Sequence, residues 1–505
     1  MNQEHLTNDE LINYIYQSNT ALNNCTIEII NFCTFKCNHC YMPNNPNHLM
    51  DFNMYKEILK QLDEIGCLWI LITGGEPLLH PEFKKFYTYA KEKGFLVSVN
   101  TNGYLIDDNL IQLFIKYQPY AVEISLYGYD DKSYQQFTHC SNCFLKIDNN
   151  IKKMLDKNIN INLKSVLVKQ NYQYFNKIRK YADSFPCPFR YDYVIFPKVN
   201  SISKGPNSEL LSTKMIIDTL KEDPDSYITF KDRYCDLSYN KNTQSKVFQC
   251  SGGENGIYID SFGNINMCVA VMNDNYNINK FSIQEARTFF KKNKERYVDN
   301  KSKCAKCYKK SICRYCPGRF KLETGNYSIP PTWYCNIANN IIRNYGVDGI
   351  LYNNQNKIQI DILKSIYPIL KENYQFLYQI TEDDFFTWAK NVMNDEDINT
   401  YVLTENHNPI GYIQYVLMEK EICLSEIQID KKHQGDKKTF KKLMRDFVIL
   451  SDLKEQDVVY INIHPKNKKS QEVFTGIGFR KIKDHRYEIT GEKLMEKFLK
   501  SVTTL

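Results

Sequence analysis

The chain has 505 residues and a formal net charge of +7 at pH 7. This length is too great for one ordinary domain and predicts about three, each able to bury its own core. The mild charge argues against the concentrated basic surface of a nucleic-acid binder and fits an acidic peptide or a nucleotide-like cofactor. No stretch reaches the roughly 18 apolar residues of a membrane span, and the polar, acidic residues 1–17 resemble no signal peptide, so we expect a cytoplasmic protein.

Short apolar runs alternate with amphipathic stretches in the first 230 residues. The apolar runs predict six strands, at 26–32, 67–73, 95–100, 120–126, 159–168 and 189–196. The stretches between them have apolar residues at helical spacing and predict helices at 52–66, 81–94, 106–117, 147–158 and 174–185. Such an alternation builds a parallel sheet with right-handed crossovers.

Polar and reactive residues follow the ends of these strands. Cys33 follows the first strand, a GGEP turn at 74–77 follows the second, and Asn100 and Ser125 end the third and fourth. Loops at the carboxyl ends of parallel strands meet at one mouth, where ligands bind. We therefore expect these four loops to converge.

The 17 cysteines are the strongest chemical signal in the sequence. In a reducing compartment, clustered thiols indicate metal or redox chemistry. NFCTFKCNHCYMPNN (31–45) contains Cys33, Cys37 and Cys40. Three thiolates can hold a four-iron cluster and leave one iron open to an amino acid. The alternatives are buried thiols or zinc, although a structural zinc normally takes four protein ligands.

Together with GGEP, this spacing resembles the radical S-adenosylmethionine (SAM) superfamily over about residues 25–230. The resemblance implies a partial (β/α)6 barrel with Cys33, Cys37 and Cys40 as cluster ligands. It implies that the GGEP turn receives the methionyl amino group of SAM. This turn is formed by Gly74, Gly75, Glu76 and Pro77. Asn100 and Ser125 would contact the ribose and the carboxylate, and His39 stands where many members have an aromatic residue.

A second cysteine series begins where the barrel pattern ends. GIYIDSFGNINMC (256–268) alternates around a glycine like a small hairpin. The series resembles the SPASM extension of radical enzymes. It departs from that pattern in having two residues, not three, between Cys313 and Cys316. Its members are Cys250, Cys268, Cys304, Cys307, Cys313, Cys316 and Cys335.

This second resemblance implies two auxiliary iron-sulfur clusters, and so three clusters in all. One would be held by Cys304, Cys307, Cys313 and Cys335. The other would be held by Cys250, Cys268 and Cys316, with either Cys235 or an open iron in the fourth place. The alternative is zinc, since paired CxxC motifs also occur in zinc ribbons.

The remaining cysteines fall outside these patterns. Cys140 and Cys143 follow the fourth strand and are candidate catalytic residues, as donors of a hydrogen atom or a thiolate; the alternative is that they are incidental. The others adjoin apolar runs and are expected in the core: Cys25, Cys67, Cys187 and Cys423.

Residues 357–495 predict a different fold. A hairpin at 400–417 is followed by a strand at 422–429, a basic turn and helix at 430–450, a strand at 458–465 and a helix ending at Gly478. This order resembles the GCN5-related N-acetyltransferases (GNAT), and Asn467, Gly478 and Phe479 match their later helix and strand.

The resemblance implies a loop that cradles the coenzyme A pyrophosphate, and here that loop is altered. Gln434 and Gly435 match the family pattern, but Lys437 and Thr439 replace small residues. Phe474 stands in place of a tyrosine used as general acid and cannot donate a proton. A basic run could bind coenzyme A phosphates or an acidic peptide, or be a solvated helix face; it comprises Lys431, Lys432, Lys437, Lys438, Lys441, Lys442 and Arg445.

The sequence thus predicts an α/β protein with three domains. The boundaries are an extension (1–24), a radical SAM barrel (25–235), a SPASM domain (236–340), a linker (341–356) and a GNAT-like domain (357–505). The resemblances imply an enzyme that cleaves SAM and modifies a precursor peptide or protein, with a flavodoxin or ferredoxin-type reductant. One alternative is a bifunctional enzyme that also uses acetyl-coenzyme A. Another is an acyltransferase whose iron-sulfur part serves mainly cofactor sensing or RNA modification, similar to the Elongator catalytic subunit, which also joins radical and acetyltransferase domains.

Overall fold

The computed structural model describes residues 22–42, 46–198, 208–223, 245–272, 276–305, 307, 309–310, 312–346, 349–353, 357–374, 381–405 and 408–499. The chain forms two compact units. The first comprises residues 1–215, 246–302 and 316–330, and the second comprises 216–245, 303–315 and 331–505. The predicted extension (1–24) and Cys235 lie outside the described residues, apart from the last three residues of that extension.

The first unit contains an eight-stranded sheet with the order β6-β5-β4-β3-β2-β1-β7-β8. All neighbouring pairs from β1 to β6 are parallel, as predicted. The strands are β1 (Asn24–Ile30), β2 (Trp69–Gly74), β3 (Leu96–Thr101), β4 (Ala121–Ser125), β5 (Ile161–Val166), β6 (Phe189–Asp192), β7 (Gly256–Ile259) and β8 (Ile265–Asn266).

Six helices connect the parallel strands. They are α1 (Phe52–Glu64), α2 (Phe83–Glu92), α3 (Asp108–Lys116), α4 (Asp131–Thr138), α5 (Phe144–Asp156) and α6 (Phe175–Ala182). The periodicity predicted all of these except α4. This helix is short and polar, and it begins at a capping box in which Asp130 and Ser133 bond each other's backbone.

The two faces of the parallel sheet differ in chemistry. On one face, alternate residues of β3 and β5 are apolar and fully buried, for example Val97, Val99 and Leu163. On the other face, the Lys164 ammonium donates to the Asn100 side chain over 2.7 Å, and Asn162 donates to Glu123 over 2.9 Å. The polar face is the one that carries the predicted strand-end residues Asn100 and Ser125, because side chains alternate along a strand.

The predicted hairpin at 256–268 is confirmed as β7 and β8, which pair antiparallel around Gly263. β7 also pairs parallel to β1, which extends the sheet at its β1 edge. Glu28 of β1 is buried and accepts hydrogen bonds from the Tyr258 and Ser261 hydroxyls. Burial raises the pKa of this carboxyl. The cysteine-bearing hairpin is therefore bonded directly into the barrel sheet.

Two further helices complete the described part of the first unit, α8 (Ile283–Lys294) and α9 (Pro317–Thr324), and α7 (Thr213–Lys221) spans the division between the units. α8 begins at a capping box of Ser282 and Glu285. No helix among the described residues is long and apolar enough to cross a membrane.

The second unit contains a seven-stranded sheet with the order β14-β15-β13-β12-β11-β10-β9. Only β12 and β13 pair in parallel among its described strands. The strands are β9 (Gly349–Tyr352), β10 (Ile398–Glu405), β11 (Asn408–Leu417), β12 (Glu421–Ile429), β13 (Val458–Asn462), β14 (Arg480–Lys481) and β15 (Arg486–Thr490).

The helices of the second unit are α10 (Thr332–Ile341), α11 (Ile360–Tyr374), α12 (Glu382–Asn394), α13 (Lys437–Leu450), α14 (Lys468–Ile477) and α15 (Gly491–Phe498), and a π-helical turn, Ile342–Gly346, continues α10. α11 and α12 bury Leu363, Ile366 and Phe385 against Val402 and Tyr412 of the sheet. The predicted hairpin, strands and helices of residues 400–478 are confirmed to within a few residues.

Candidate functional site

The first thiol set, Cys33, Cys37 and Cys40, lies in the loop that follows β1, and all three residues are half-buried. Burial, together with the charges of Glu76 and Cys40, raises the pKa of Cys33 to about 11. Burial also raises the pKa of Cys37, with further effects from Cys40 and Cys33. The three thiols are thus close enough for their negative charges to repel one another, and bound cationic iron would relieve that repulsion.

The thiols are neighbours without converging on one point. Among the described residues, no group of three or more His, Cys, Asp or Glu side chains is placed to hold a metal ion.

The GGEP turn lies against the backbone that leads into Cys33. The Gly75 and Glu76 amides donate to the carbonyls of Ile30 and Phe32, over 2.9 and 3.0 Å. A Cβ on Gly74 would lie 2.1 Å from the Ile30 carbonyl oxygen, and one on Gly75 would lie 2.2 Å from that of Phe32. Only glycine permits this approach, which packs the turn beside the cysteine loop.

Glu76 is fully buried, and its carboxylate connects the GGEP turn after β2 to the end of β3. Its carboxylate accepts hydrogen bonds from the Thr101 hydroxyl and the Asn102 amide, both over 2.7 Å, and from the Leu78 amide over 3.1 Å. Burial raises its pKa to about 7. The Asn102 side-chain amide in turn lies 3.8 Å from the Cys33 sulfur. Three of the four loops expected to converge, those after β1, β2 and β3, are therefore connected by these contacts, and convergence of the loop after β4 stays a prediction.

The sequence placed the NTNG segment (100–103) at the end of the third strand but gave a role only to Asn100. The structure adds the contacts of Thr101 and Asn102 with Glu76. Lys164 was read only as part of a strand. Its ammonium reaches Asn100, and burial lowers its pKa to about 8. Lys164 alternates with apolar residues as in an ordinary half-buried strand, so the sequence gave no signal for this contact.

His39 packs inside the cysteine loop. Its ring lies 5.1 Å from that of Phe137 and 5.6 Å from that of Tyr127, measured between centroids. Burial lowers its pKa to about 4. His39 is therefore a neutral ring at pH 7 and supplies the flat, uncharged surface of an aromatic side chain at this position.

The predicted auxiliary cysteines fall into one group in each unit. In the first unit, burial raises the pKa of Cys268 to about 12, with a contribution from the charges of Cys316 and Cys250. In the second unit, burial raises the pKa of Cys313, with further contributions from three other thiols, Cys307, Cys304 and Cys335. The thiols within each group therefore lie near one another, and their assignment to two clusters stays a prediction.

Cys140 and Cys143 form a disulfide bond between α4 and α5. In this form neither sulfur has a hydrogen atom or a thiolate to donate. Their candidate catalytic role stays a prediction that concerns the reduced protein. Of the expected core thiols, Cys25 and Cys67 are buried, whereas Cys187 and Cys423 are half-buried.

In the second unit, Asp436 of the altered loop caps the N-terminus of α13. The Asp436 carboxylate accepts hydrogen bonds from the Lys438 and Thr439 amides and from the Thr439 hydroxyl, over 2.8 to 3.2 Å. These amides are donors that a phosphate would need at the start of α13. Phe474 is buried and packs edge-on against Phe479, which is a structural role.

Comparison with known proteins agrees with this geometry. Residues 27–182, which include the first thiol set and the GGEP turn, match the family model described as the Radical SAM superfamily. The bacteriocin subtilosin biosynthesis protein AlbA of Bacillus subtilis (strain 168) is 25% identical over 252 residues, 48% of this chain and 54% of AlbA. The chain therefore spans about half the length of this curated relative.

Other similar proteins have different reactions in their names. An S-adenosylmethionine-dependent nucleotide dehydratase of Selenomonas ruminantium is 28% identical over 102 residues, 19% of this chain and 37% of that protein. The crystal structure of Streptococcus suis SuiB has a TM-score of 0.50 at 17% identity and covers 65% of this chain and 83% of SuiB. That likeness shows the fold alone. The matched domain implies a four-iron cluster and SAM as cofactors.

Proposed function

We propose that the radical SAM domain of this chain reductively cleaves SAM and that the resulting radical modifies a side chain of a peptide or protein. The observation that carries the proposal is the packing of three neighbouring thiols against a GGEP turn whose glycines admit no side chain. Cys33, Cys37 and Cys40 would hold a four-iron cluster, and three thiolates would leave one iron open to SAM.

When bound, the reduced cluster would pass one electron from the external reductant to SAM, which would split a sulfonium carbon–sulfur bond into methionine and a 5′-deoxyadenosyl radical able to remove a hydrogen atom from a substrate carbon. The chain's own residues position these groups. Glu76 fixes the GGEP turn to the end of β3, and Gly74 and Gly75 let a ligand approach the backbone. Asn100 and Ser125, on the polar face of the sheet, would contact the ribose and the carboxylate of SAM.

A peptide substrate is proposed from two supports. The name of AlbA places that relative in the biosynthesis of a bacteriocin. The second cysteine series resembles an extension common among peptide-modifying enzymes, and the thiols within each of its two groups lie near one another. We accordingly propose two auxiliary clusters, a precursor peptide or protein as partner, a flavodoxin or ferredoxin-type reductant and a cytoplasmic location. The predicted domain boundaries are part of the same proposal.

Acetyl transfer by the second unit is the weaker alternative. The Asp436 carboxylate occupies the amide donors at the start of α13, and a phosphate there would meet a negative charge. We therefore propose that the GNAT-like domain serves binding of the substrate or of a partner and transfers no acetyl group.

The first test measures SAM cleavage in anaerobically reconstituted protein with reductant. We expect 5′-deoxyadenosine and methionine from the wild type and none from Cys37→Ala, because no neighbouring side chain replaces the lost ligand. Cys187→Ala, at a half-buried thiol outside the three sets, is the control and should cleave SAM normally. Unchanged cleavage by Cys37→Ala would refute the assignment.

A further inference from the structure

The second auxiliary thiol set, Cys304, Cys307, Cys313 and Cys335, is drawn from two separate segments of the second unit. Three of its members lie in a loop at 303–315, and Cys335 lies on α10. These two segments do not belong to a common strand, so other contacts must bring their thiols together. Lys309, which lies in the loop between Cys307 and Cys313, makes such contacts.

The backbone of Lys309 organises the loop. Its carbonyl accepts hydrogen bonds from the Ile312 amide over 3.1 Å and from the Cys313 amide over 3.0 Å. The Cys307 amide donates to the Cys304 carbonyl over 3.4 Å. Lys309 therefore forms the turn that brings the CxxC pair and Cys313 to the same side of the loop.

The side chain of Lys309 connects that loop to two other segments. Its ammonium donates to the Asn339 side chain over 2.8 Å, one helical turn beyond Cys335 on α10. It also pairs with Asp452, which follows α13 in the GNAT-like fold. The Lys309 side chain is only 7% exposed. A charge so buried is tolerated when it is paired and hydrogen-bonded, so these contacts hold Lys309 in one place.

The Lys309–Asp452 ion pair connects the segments and also lies near two thiols of the set. Cys307 and Cys335 are both within electrostatic range of Lys309 and of Asp452. The Lys309 ammonium would attract the thiolates that hold a metal in this set, while Asp452 keeps the ammonium in place. The same two side chains can therefore influence metal retention and the position of the residues after α13.

We propose that Lys309 is a positioning residue of the second auxiliary thiol set and makes the GNAT-like fold a structural part of that metal site. Metal in the set then stabilises the fold around α13, and the fold in return slows loss of the metal, because linkage is reciprocal. The inference rests on the proposed function only in requiring that a metal fills the set, as either iron or zinc.

The test compares five full-length variants: Lys309→Met, Asp452→Asn, the double variant that combines these two changes, Lys309→Arg and Lys357→Met. Lys357 pairs with Glu396 in the same unit, but both side chains are about two-thirds exposed or more, at 68% and 72%. It is therefore the matched control for loss of a lysine ion pair at the surface. Each protein is reconstituted anaerobically with iron and sulfide, and iron and zinc per chain are measured before and during exposure to a chelator.

We expect metal equivalent to one set to leave Lys309→Met and Asp452→Asn severalfold faster than it leaves the wild type or Lys357→Met. The double variant should lose metal no faster than the worse single variant, because both changes break one connection. Lys309→Arg, which keeps the charge, should recover part of the retention. Release rates of Lys309→Met and Asp452→Asn equal to that of Lys357→Met would overturn the proposal.

Hydrogen exchange of α13 gives a second readout. Metal loading should increase protection of residues 437–450 in the wild type, and this increase should be lost in Asp452→Asn. An equal increase in both proteins would contradict the coupling. Zinc in the set with the variant effects intact would refute the iron-sulfur assignment alone, whereas normal iron content without any variant effect would refute the role of Lys309 alone.

Discussion

Gly75 shows how strongly a single residue of the first site is constrained by its surroundings. A Cβ at this position would lie 2.2 Å from the carbonyl oxygen and 2.3 Å from the carbonyl carbon of Phe32, just before Cys33. Both atoms belong to backbone, which cannot rotate away as a flexible side chain can. Any larger residue must therefore displace the cysteine loop or the GGEP turn.

We predict that Gly75→Ala destabilises the first unit by about 1–3 kcal/mol, the usual range for overpacking, and strongly weakens SAM binding. Gly476→Ala is the control, because nothing lies within 4 Å of its added Cβ and the residue is in α14. That change should be neutral or stabilise by up to about 1 kcal/mol. Thermal unfolding and equilibrium dialysis with SAM measure the two effects, and normal SAM binding by Gly75→Ala would contradict the prediction.

At the scale of single residues, the sequence identifies the reactive residues but not the residues that position them. Cys33, Cys37 and Cys40 stand out through their spacing, and Gly74 through its place after a strand. Lys164 could not be found in this way. Its importance depends on the register of β3, β4 and β5, which brings Asn100 and Glu123 close to it and is set by pairing between distant segments.

At the scale of elements, the parallel strands and most helices followed from periodicity, since each element has one apolar face or stripe. The hairpin of β7 and β8 was also predicted, but its pairing with β1 was not. That pairing joins residues more than 200 positions apart, such as Thr26 and Tyr258. Local patterns carry no information about it. α4 was missed because its sequence is polar and its start depends on a capping box.

The start of α13 gives the prediction that belongs to this scale. Asp436 already accepts hydrogen bonds from two amides at the helix N-terminus. We predict that the full chain shows little or no heat with acetyl-coenzyme A in calorimetry. Asp436→Gly frees those amides at a cost of only a few tenths of a kcal/mol, because glycine is tolerated as a cap, and should increase any binding. Micromolar binding by the wild type, at about −8 kcal/mol, together with acetylated product would make this a two-activity enzyme.

At the scale of the whole molecule, the cysteine series and the two compact units divide the chain differently. The SPASM resemblance treats residues 236–340 as one domain. Cys250, Cys268 and Cys316 lie in the first unit, whereas the set that contains Cys335 lies in the second, together with the sheet of β9 to β15. The sequence could not show this division, because the contacts of Lys309 join residues up to 143 positions apart.

This division leads to a prediction for the protein that lacks residues 357–505. The deletion removes Asp452 and α11 to α15 while leaving every predicted metal ligand in the chain. If the GNAT-like fold only bound substrate, the shortened protein would keep the metal of all three thiol sets and lose peptide affinity alone. We expect it to lose about one set's share of metal as well, because the loop at 303–315 loses the partner that fixes Lys309.

The measurement is metal content, SAM cleavage without substrate and peptide binding, each in the deletion and in full-length Asp452→Asn. We expect uncoupled SAM cleavage to persist in the deletion, since the first thiol set and the GGEP turn belong to the first unit. Asp452→Asn keeps the whole fold, so a metal loss shared by both proteins points to the ion pair and not to general unfolding. A deletion protein with the full metal content and weakened peptide binding would show that the C-terminal fold serves the substrate alone.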